Sequence, residues 1–141
     1  MQQPRMMLLY AVQILSIMEY YRKKDETNEI PTVLTLKKIQ DHSNIKSLHF
    51  MEQVSCMMRK KGIIRSFKGP KGGYLLNQDP RKLSLNDIDE VTFTKKSGAP
   101  STAVLDELYD KYEKAERDFY NTKLGDIPNF GTKESFTGLE E

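Results

Sequence analysis

Gly62-Ile63-Ile64-Arg65-Ser66-Phe67-Lys68-Gly69-Pro70-Lys71-Gly72-Gly73-Tyr74-Leu75-Leu76 is the stretch that decides the fold. Two β-prone runs, Ile63 to Phe67 and Tyr74 to Leu76, flank a turn built from Gly69, Pro70, Gly72 and Gly73. Proline pre-sets φ for a turn and glycine tolerates positive φ, so the stretch predicts a β-hairpin with a narrow tip. That tip carries Lys68 and Lys71 and no acid. Immediately upstream, Ser47 to Lys61 reads as a helix that ends in Arg59-Lys60-Lys61 and is stopped by Gly62 as its C′ glycine. A basic helix feeding a basic, glycine-tipped hairpin is the layout of a winged helix-turn-helix, a fold that grips DNA.

The charge distribution points the same way. Net charge is only +2, but residues 59 to 82 hold eight basic residues against the single acid Asp79, a net of +7. From Val104 to the end, ten acids face five basic residues, a net of −5. Basic charge concentrated on one supersecondary motif favours a phosphate-binding surface over a merely solvated face. The 141 residues suffice for one core, and no apolar run approaches the roughly 18 to 20 residues of a membrane span. The N-terminus lacks the order of a signal peptide, so a cytoplasmic location is expected. A single cysteine, Cys56, allows no internal disulfide and no four-thiolate metal site.

Outward from the hairpin, the rest of the chain reads as mainly α. Met6 to about Tyr21 places Met7, Ala11, Ile14, Leu15 and Met18 on one helical face. Residues 22 to 32 are polar and carry Pro31, which predicts a loop, followed by a short strand at Val33-Leu34. Thr35 is placed to cap a helix running to about His42, with Leu36 and Ile39 inward. Ser43-Asn44 ends it, and Ile45 supplies the apolar contact of the turn. In the next helix, capped by Ser47, residues Met51, Val54, Ser55 and Met58 share one sector and predict its core face. His49, Gln53, Cys56 and Lys60 form the opposite stripe.

In a helix-turn-helix, the second helix presents its N-terminal residues to the base edges. Ser47, His49 and Gln53 are therefore the base-reading candidates, and Arg59, Lys60 and Lys61 the phosphate-holding ones. Beyond the hairpin, Ser84-Leu85-Asn86-Asp87 reads as a capped helix start with Leu85, Ile88 and Val91 inward. A small-residue loop, residues 93 to 103, leads to Leu105, Leu108, Tyr112, Ala115 and Phe119, spaced 3, 4, 3, 4. That is an a/d stripe over two heptads, and it predicts pairing with a second copy through a helix over residues 104 to 125. Residues 126 to 141 carry few apolar side chains and are expected to be a flexible tail, leaving 1 to 92 as the DNA-binding domain.

Four segments together resemble one family: Ser47-Leu48-His49-Phe50-Met51-Glu52-Gln53, Met58-Arg59-Lys60-Lys61-Gly62-Ile63-Ile64, Lys68-Gly69-Pro70-Lys71-Gly72-Gly73-Tyr74, and Leu83-Ser84-Leu85-Asn86-Asp87-Ile88. They are similar to the Rrf2 family of bacterial winged-helix transcription regulators, over residues 6 to about 128. The wing signature Gly-Pro-x-Gly-Gly-Tyr is its most specific part. The resemblance implies a homodimer joined by the long C-terminal helix and a partly palindromic operator. It also implies a recognition helix in the major groove and a wing in the minor groove. Lys68, Gly69, Lys71 and Gly72 then become DNA contacts of the wing.

Two departures from the family pattern matter. Its sensor members carry three cysteines in the loop before the dimerisation helix, where they hold an iron–sulfur cluster. Here that loop contains no cysteine and no histidine, so such a cluster, and any metal site, is not expected. Lys46 is also one residue more than the turn before the recognition helix usually has. Cys56 is a candidate redox position because Arg59 and Lys60 lie close in sequence, although a small tolerated side chain is the favoured explanation. No nucleophile motif or phosphate-cradling loop stands out, so no enzyme activity is expected. The function implied is a dimeric repressor of transcription. The alternative is an interaction module that regulates another protein through its acidic C-terminal helix. The sequence names no small-molecule effector.

Overall fold

The structure, a computed structural model, describes residues 6–27, 32–43, 45–89 and 102–135. Helix α1 (Met6–Lys24) is the centre of the fold. From Ile14 to Glu19 every residue is buried, so this half of the helix is covered on all sides rather than on the one face its spacing predicts. The helix-turn-helix pair α2 (Leu36–Asp41) and α3 (Leu48–Lys60) packs on one side of it, together with the hairpin β1 (Ile64–Phe67) and β2 (Gly73–Leu76). The C-terminal segment covers another side.

Local chemistry sets the boundaries. Thr35 caps α2 by accepting from the Lys38 amide at 3.1 Å, and Ser47 caps α3 by accepting from the Phe50 amide at 3.1 Å. At the far end of α3, Gly62 adopts φ +76°. The Ile63 amide donates to the Met58 carbonyl at 3.0 Å and the Gly62 amide to the Arg59 carbonyl at 3.0 Å. These two bonds make a Schellman cap, which turns the chain directly into the wing. Met51, Val54, Ser55 and Met58 are all buried, as their spacing predicts.

The hairpin pairs Ile64 with Leu76, Arg65 with Leu75, Ser66 with Tyr74 and Phe67 with Gly73, antiparallel. The expected strand at Val33-Leu34 is a single antiparallel bridge between Leu34 and Tyr74. Its two hydrogen bonds, 2.9 and 2.7 Å, tie β2 of the wing to the chain entering α2. Helix α4 (Leu85–Ile88) opens with a capping box between Ser84 and Asp87, and Leu85 and Ile88 are buried. Val91 and residues 93–101 of the expected 93–103 loop lie outside the described residues, whereas Thr102 caps the next helix and Ala103 begins it.

Helix α5 (Ala103–Tyr120) is shorter than the 104–125 span expected. At Asn121 the chain folds back towards the end of the wing domain. The Leu85 amide donates to the Thr122 carbonyl (3.0 Å) and the Leu124 amide to the Leu83 carbonyl (2.9 Å), which buries Leu124. Residues 126–135 likewise differ from the flexible tail expected. Phe130 is buried, the Gly131 amide donates to Ser16 Oγ at 2.8 Å, and a 3-10 turn at Lys133–Ser135 packs on α1. The rest of the expected tail, residues 136–141, lies outside the described residues. Leu124, Ile127 and Phe130 recur every third residue, and their transfer from water helps hold this segment down.

Candidate nucleic-acid interface

Burying Met51, Val54, Ser55 and Met58 leaves the other side of α3 to solvent. His49, Gln53 and Lys60 are exposed there, and Cys56 is half-buried. These four side chains line one open groove along the helix, bounded by Met7 and Met57. The stripe expected from spacing is therefore brought together on one face. At its N-terminal end, Ser47 Oγ accepts the helix-cap hydrogen bond, which leaves its hydroxyl hydrogen and one lone pair for a ligand. At the other end the Arg59 guanidinium approaches Cys56, with Nη2 3.7 Å from Sγ. Arg59 thus leans back over the stripe, while Lys60 and Lys61 stand exposed.

The wing is held to this helix by its own exit. The Gly62 carbonyl accepts from Asn77 Nδ2 at 2.9 Å and from Gln78 Nε2 at 3.1 Å. The Asn77 amide donates to the Ile63 carbonyl at 3.0 Å. Entry and exit of the hairpin are thereby fixed together at the C-terminus of α3. At the tip, the Gly72 amide donates to the Gly69 carbonyl at 2.9 Å. A Cβ on Gly72 would lie 2.2 Å from the Phe67 carbonyl oxygen, so the turn closes only around glycine. Lys68, Gly69 and Lys71 are exposed at this tip. The α3 stripe and the wing tip thus project from one hydrogen-bonded junction at Gly62.

Not every basic residue of the 59–82 segment belongs to that surface. Arg81 turns inward, with Nε 2.7 Å from the carboxylate of buried Glu19. Arg65 lies on the outer face of the wing, 5.4 Å from the Phe67 ring centre. Conversely, Lys37, Lys38 and Lys46 flank the turn between α2 and α3, and all three are exposed. Lys37 pairs with Asp41 at 3.1 Å, and Lys38 sits 4.6 Å above the Tyr21 ring. The Lys46 carbonyl accepts from Gln40 Nε2 at 3.0 Å, which stiffens the turn that holds this additional residue.

The a/d stripe of α5 is only partly covered by its own chain. Leu108 is 56% exposed and Phe119 40%, Ala115 is exposed, and Leu105 and Tyr112 are half-buried. Val104, outside the stripe, is 71% exposed. The residue that α5 buries in its own domain is instead Tyr120, whose ring meets Phe119 edge-on at 5.1 Å.

Residues 7–127 match the model of the Rrf2 family, described as iron-dependent transcriptional regulators. The chain is 36% identical over 77 residues to the HTH-type transcriptional regulator CymR of Bacillus subtilis, covering 55% of this chain and 52% of that protein. It is 35% identical over 63 residues to the regulator IscR of Klebsiella pneumoniae, covering 45% of this chain and 36% of that protein. The match thus spans about a third to a half of these curated relatives. The solved structure of the B. subtilis global cysteine regulator CymR superposes with a TM-score of 0.71 at 21% identity, over 90% of this chain and 96% of that one. Oxidised Staphylococcus aureus CymR superposes with a TM-score of 0.65 at 25% identity, over 88% of this chain and 94% of that one.

The donor set does not fit the iron–sulfur cluster of sensor members. Cys56, the only cysteine of the chain, lies in the middle of α3. Residues 91 to 102 contain no cysteine, histidine, aspartate or glutamate. Among the described residues no three such side chains gather at a metal-binding distance. Nor, among them, is any helix long and apolar enough to cross a membrane.

Proposed function

The chain belongs to the Rrf2 family of transcriptional regulators, and on that footing we propose that it is a dimeric, sequence-specific DNA-binding repressor that works without an iron–sulfur cluster. The observation that carries this reading is the joint orientation of the α3 stripe and the wing tip, fixed through Gly62, Asn77 and Gln78. Ser47, His49 and Gln53 are assigned to base edges in the major groove. Arg59, Lys60, Lys61, Lys68 and Lys71 are assigned to phosphates, where they release counterions and supply most of the affinity. The backbone at Gly69 and Gly72 lets the wing approach the duplex closely.

The open stripe on α5 supports dimerisation. Leu108 and Phe119 keep a large share of their apolar surface in water, and a second α5 would remove it. A two-fold dimer presents two recognition helices, which matches a partly palindromic operator. Repression then follows from occupancy of the promoter in competition with polymerase. Cys56 lies on the proposed DNA face, so an oxidised thiol there would stand between α3 and the groove.

The test is selection of bound fragments from the protein's own sheared genome by purified protein, without added iron or sulfide. Recovery of fragments sharing a two-fold symmetric motif supports the proposal. Fragments without a common motif refute sequence-specific recognition by this form.

A further inference from the structure

A cavity of about 420 Å³ opens between the C-terminal end of α1 and the outer face of the wing, away from the α3 stripe. Its apolar lining comes from Met18, Leu34, Leu75 and Leu76. Charges of both signs stand among these side chains: Arg22 and Arg65 on one hand, Asp25 and Glu26 on the other. The volume falls within the range of small-molecule sites, and an apolar lining with a few polar groups is their usual make-up.

The charged groups retain unused capacity. Glu19 takes Nε and Nη2 of Arg22, at 2.6 and 3.1 Å, which leaves the other donors of a five-donor guanidinium. Asp25 accepts from Thr32 Oγ1 through Oδ2, which leaves Oδ1. Neither Arg65 nor Glu26 is ion-paired among the described residues. A simple anion here would be drawn to two guanidinium groups and repelled by two carboxylates, and a simple cation would meet the reverse. A molecule carrying both charges escapes that cancellation. The apolar side chains favour a hydrocarbon group on the same molecule.

We propose that this cavity binds a small zwitterion of the amino-acid class, with an apolar side chain against Met18, Leu34, Leu75 and Leu76, its carboxylate at Arg22 and Arg65, and its ammonium at Asp25 and Glu26. Arg65, Leu75 and Leu76 belong to the wing, so an occupant touches the element assigned to DNA. The binding site itself does not depend on that assignment.

Isothermal titration calorimetry of the full chain, free of DNA, tests it with L-leucine, L-methionine and L-leucylglycine. L-Leucinamide and 4-methylpentanoate, each with one charge deleted, serve as comparisons. Saturable binding of at least one zwitterion is expected. Deleting either ligand charge, or introducing Arg65→Gln or Glu26→Gln, should weaken it roughly tenfold, the size of one lost charge-assisted hydrogen bond. Both substitutions are at exposed positions, and thermal melts confirm that the variants fold. Absence of saturable binding by all three zwitterions at millimolar concentration overturns the proposal. So does equal binding of the single-charge analogues, or undiminished binding by both folded variants.

Discussion

Glu19 Oε2 and Arg81 Nε lie 2.7 Å apart, joining the middle of α1 to the turn that follows the wing. The Glu19 side chain is fully buried and also binds Arg22. Arg81 extends the link through Nη2, which donates to the Phe130 carbonyl at 3.1 Å. One guanidinium therefore connects three segments distant in sequence: α1, the turn after the wing, and the chain that returns after α5. A buried carboxylate must be paired, and here the pairing fixes where the C-terminal segment lies.

Replacing Arg81 with Met should leave Glu19 with one partner and the Phe130 carbonyl with a lost donor. The expected destabilisation is about 3 kcal/mol, measured by urea unfolding. Lysine at the same position should recover only part of this, because one ammonium cannot reproduce the planar two-way geometry. A loss within the roughly 0.5 kcal/mol typical of surface changes would contradict the structural role.

Lys68→Ala and Gln53→Ala should separate affinity from selectivity. Lys68→Ala should weaken binding about equally on all duplexes and lower the salt slope by about 1. Gln53→Ala should cost roughly 1–3 kcal/mol on the preferred site and little elsewhere. Unchanged discrimination in Gln53→Ala would remove this residue from the base-reading set.

Gly72→Ala tests the wing tip. Its Cβ would fall on the Phe67 carbonyl oxygen, which is backbone and cannot swing aside. The tip must reopen, so DNA affinity should fall by roughly tenfold or more, as when a charge-assisted contact is lost. The tip lies outside the buried core, so circular dichroism should show the helices intact. Wild-type affinity would mean that the tip does not reach the duplex.

Leu108→Glu should convert a dimer to a monomer in sedimentation-velocity experiments. Leu108 is already 56% exposed within one chain, so the change should cost the monomer little stability. DNA affinity should fall with the loss of the second half-site contact. A dimer that survives this substitution would place the interface elsewhere.

Much of the fold was legible because it is local. Residue type and spacing alone identify the Ser47 cap, the buried face of α3, the Gly62 stop and the glycine-tipped hairpin. What was not legible depends on partners far away in sequence. Nothing local pairs Glu19 with Arg81, and Arg81 reads as one more phosphate-binding cation. The segment after Gly125 looks like a tail by composition, although Leu124, Ile127 and Phe130 at a spacing of three were a signal of burial. Residues of the interface followed the same division. The α3 stripe was visible from helical periodicity, whereas the roles of Asn77 and Gln78 depend on their meeting the Gly62 carbonyl.

Fluorescence-anisotropy titration of the untreated protein decides whether it is a cluster-independent, sequence-specific DNA binder, using duplex from upstream of its own gene, random duplex as control, and a salt series. Tight, selective binding to the upstream duplex that weakens steeply with salt is expected, with no iron or sulfide added. Weak binding, equal on both duplexes and insensitive to salt, would contradict that assignment.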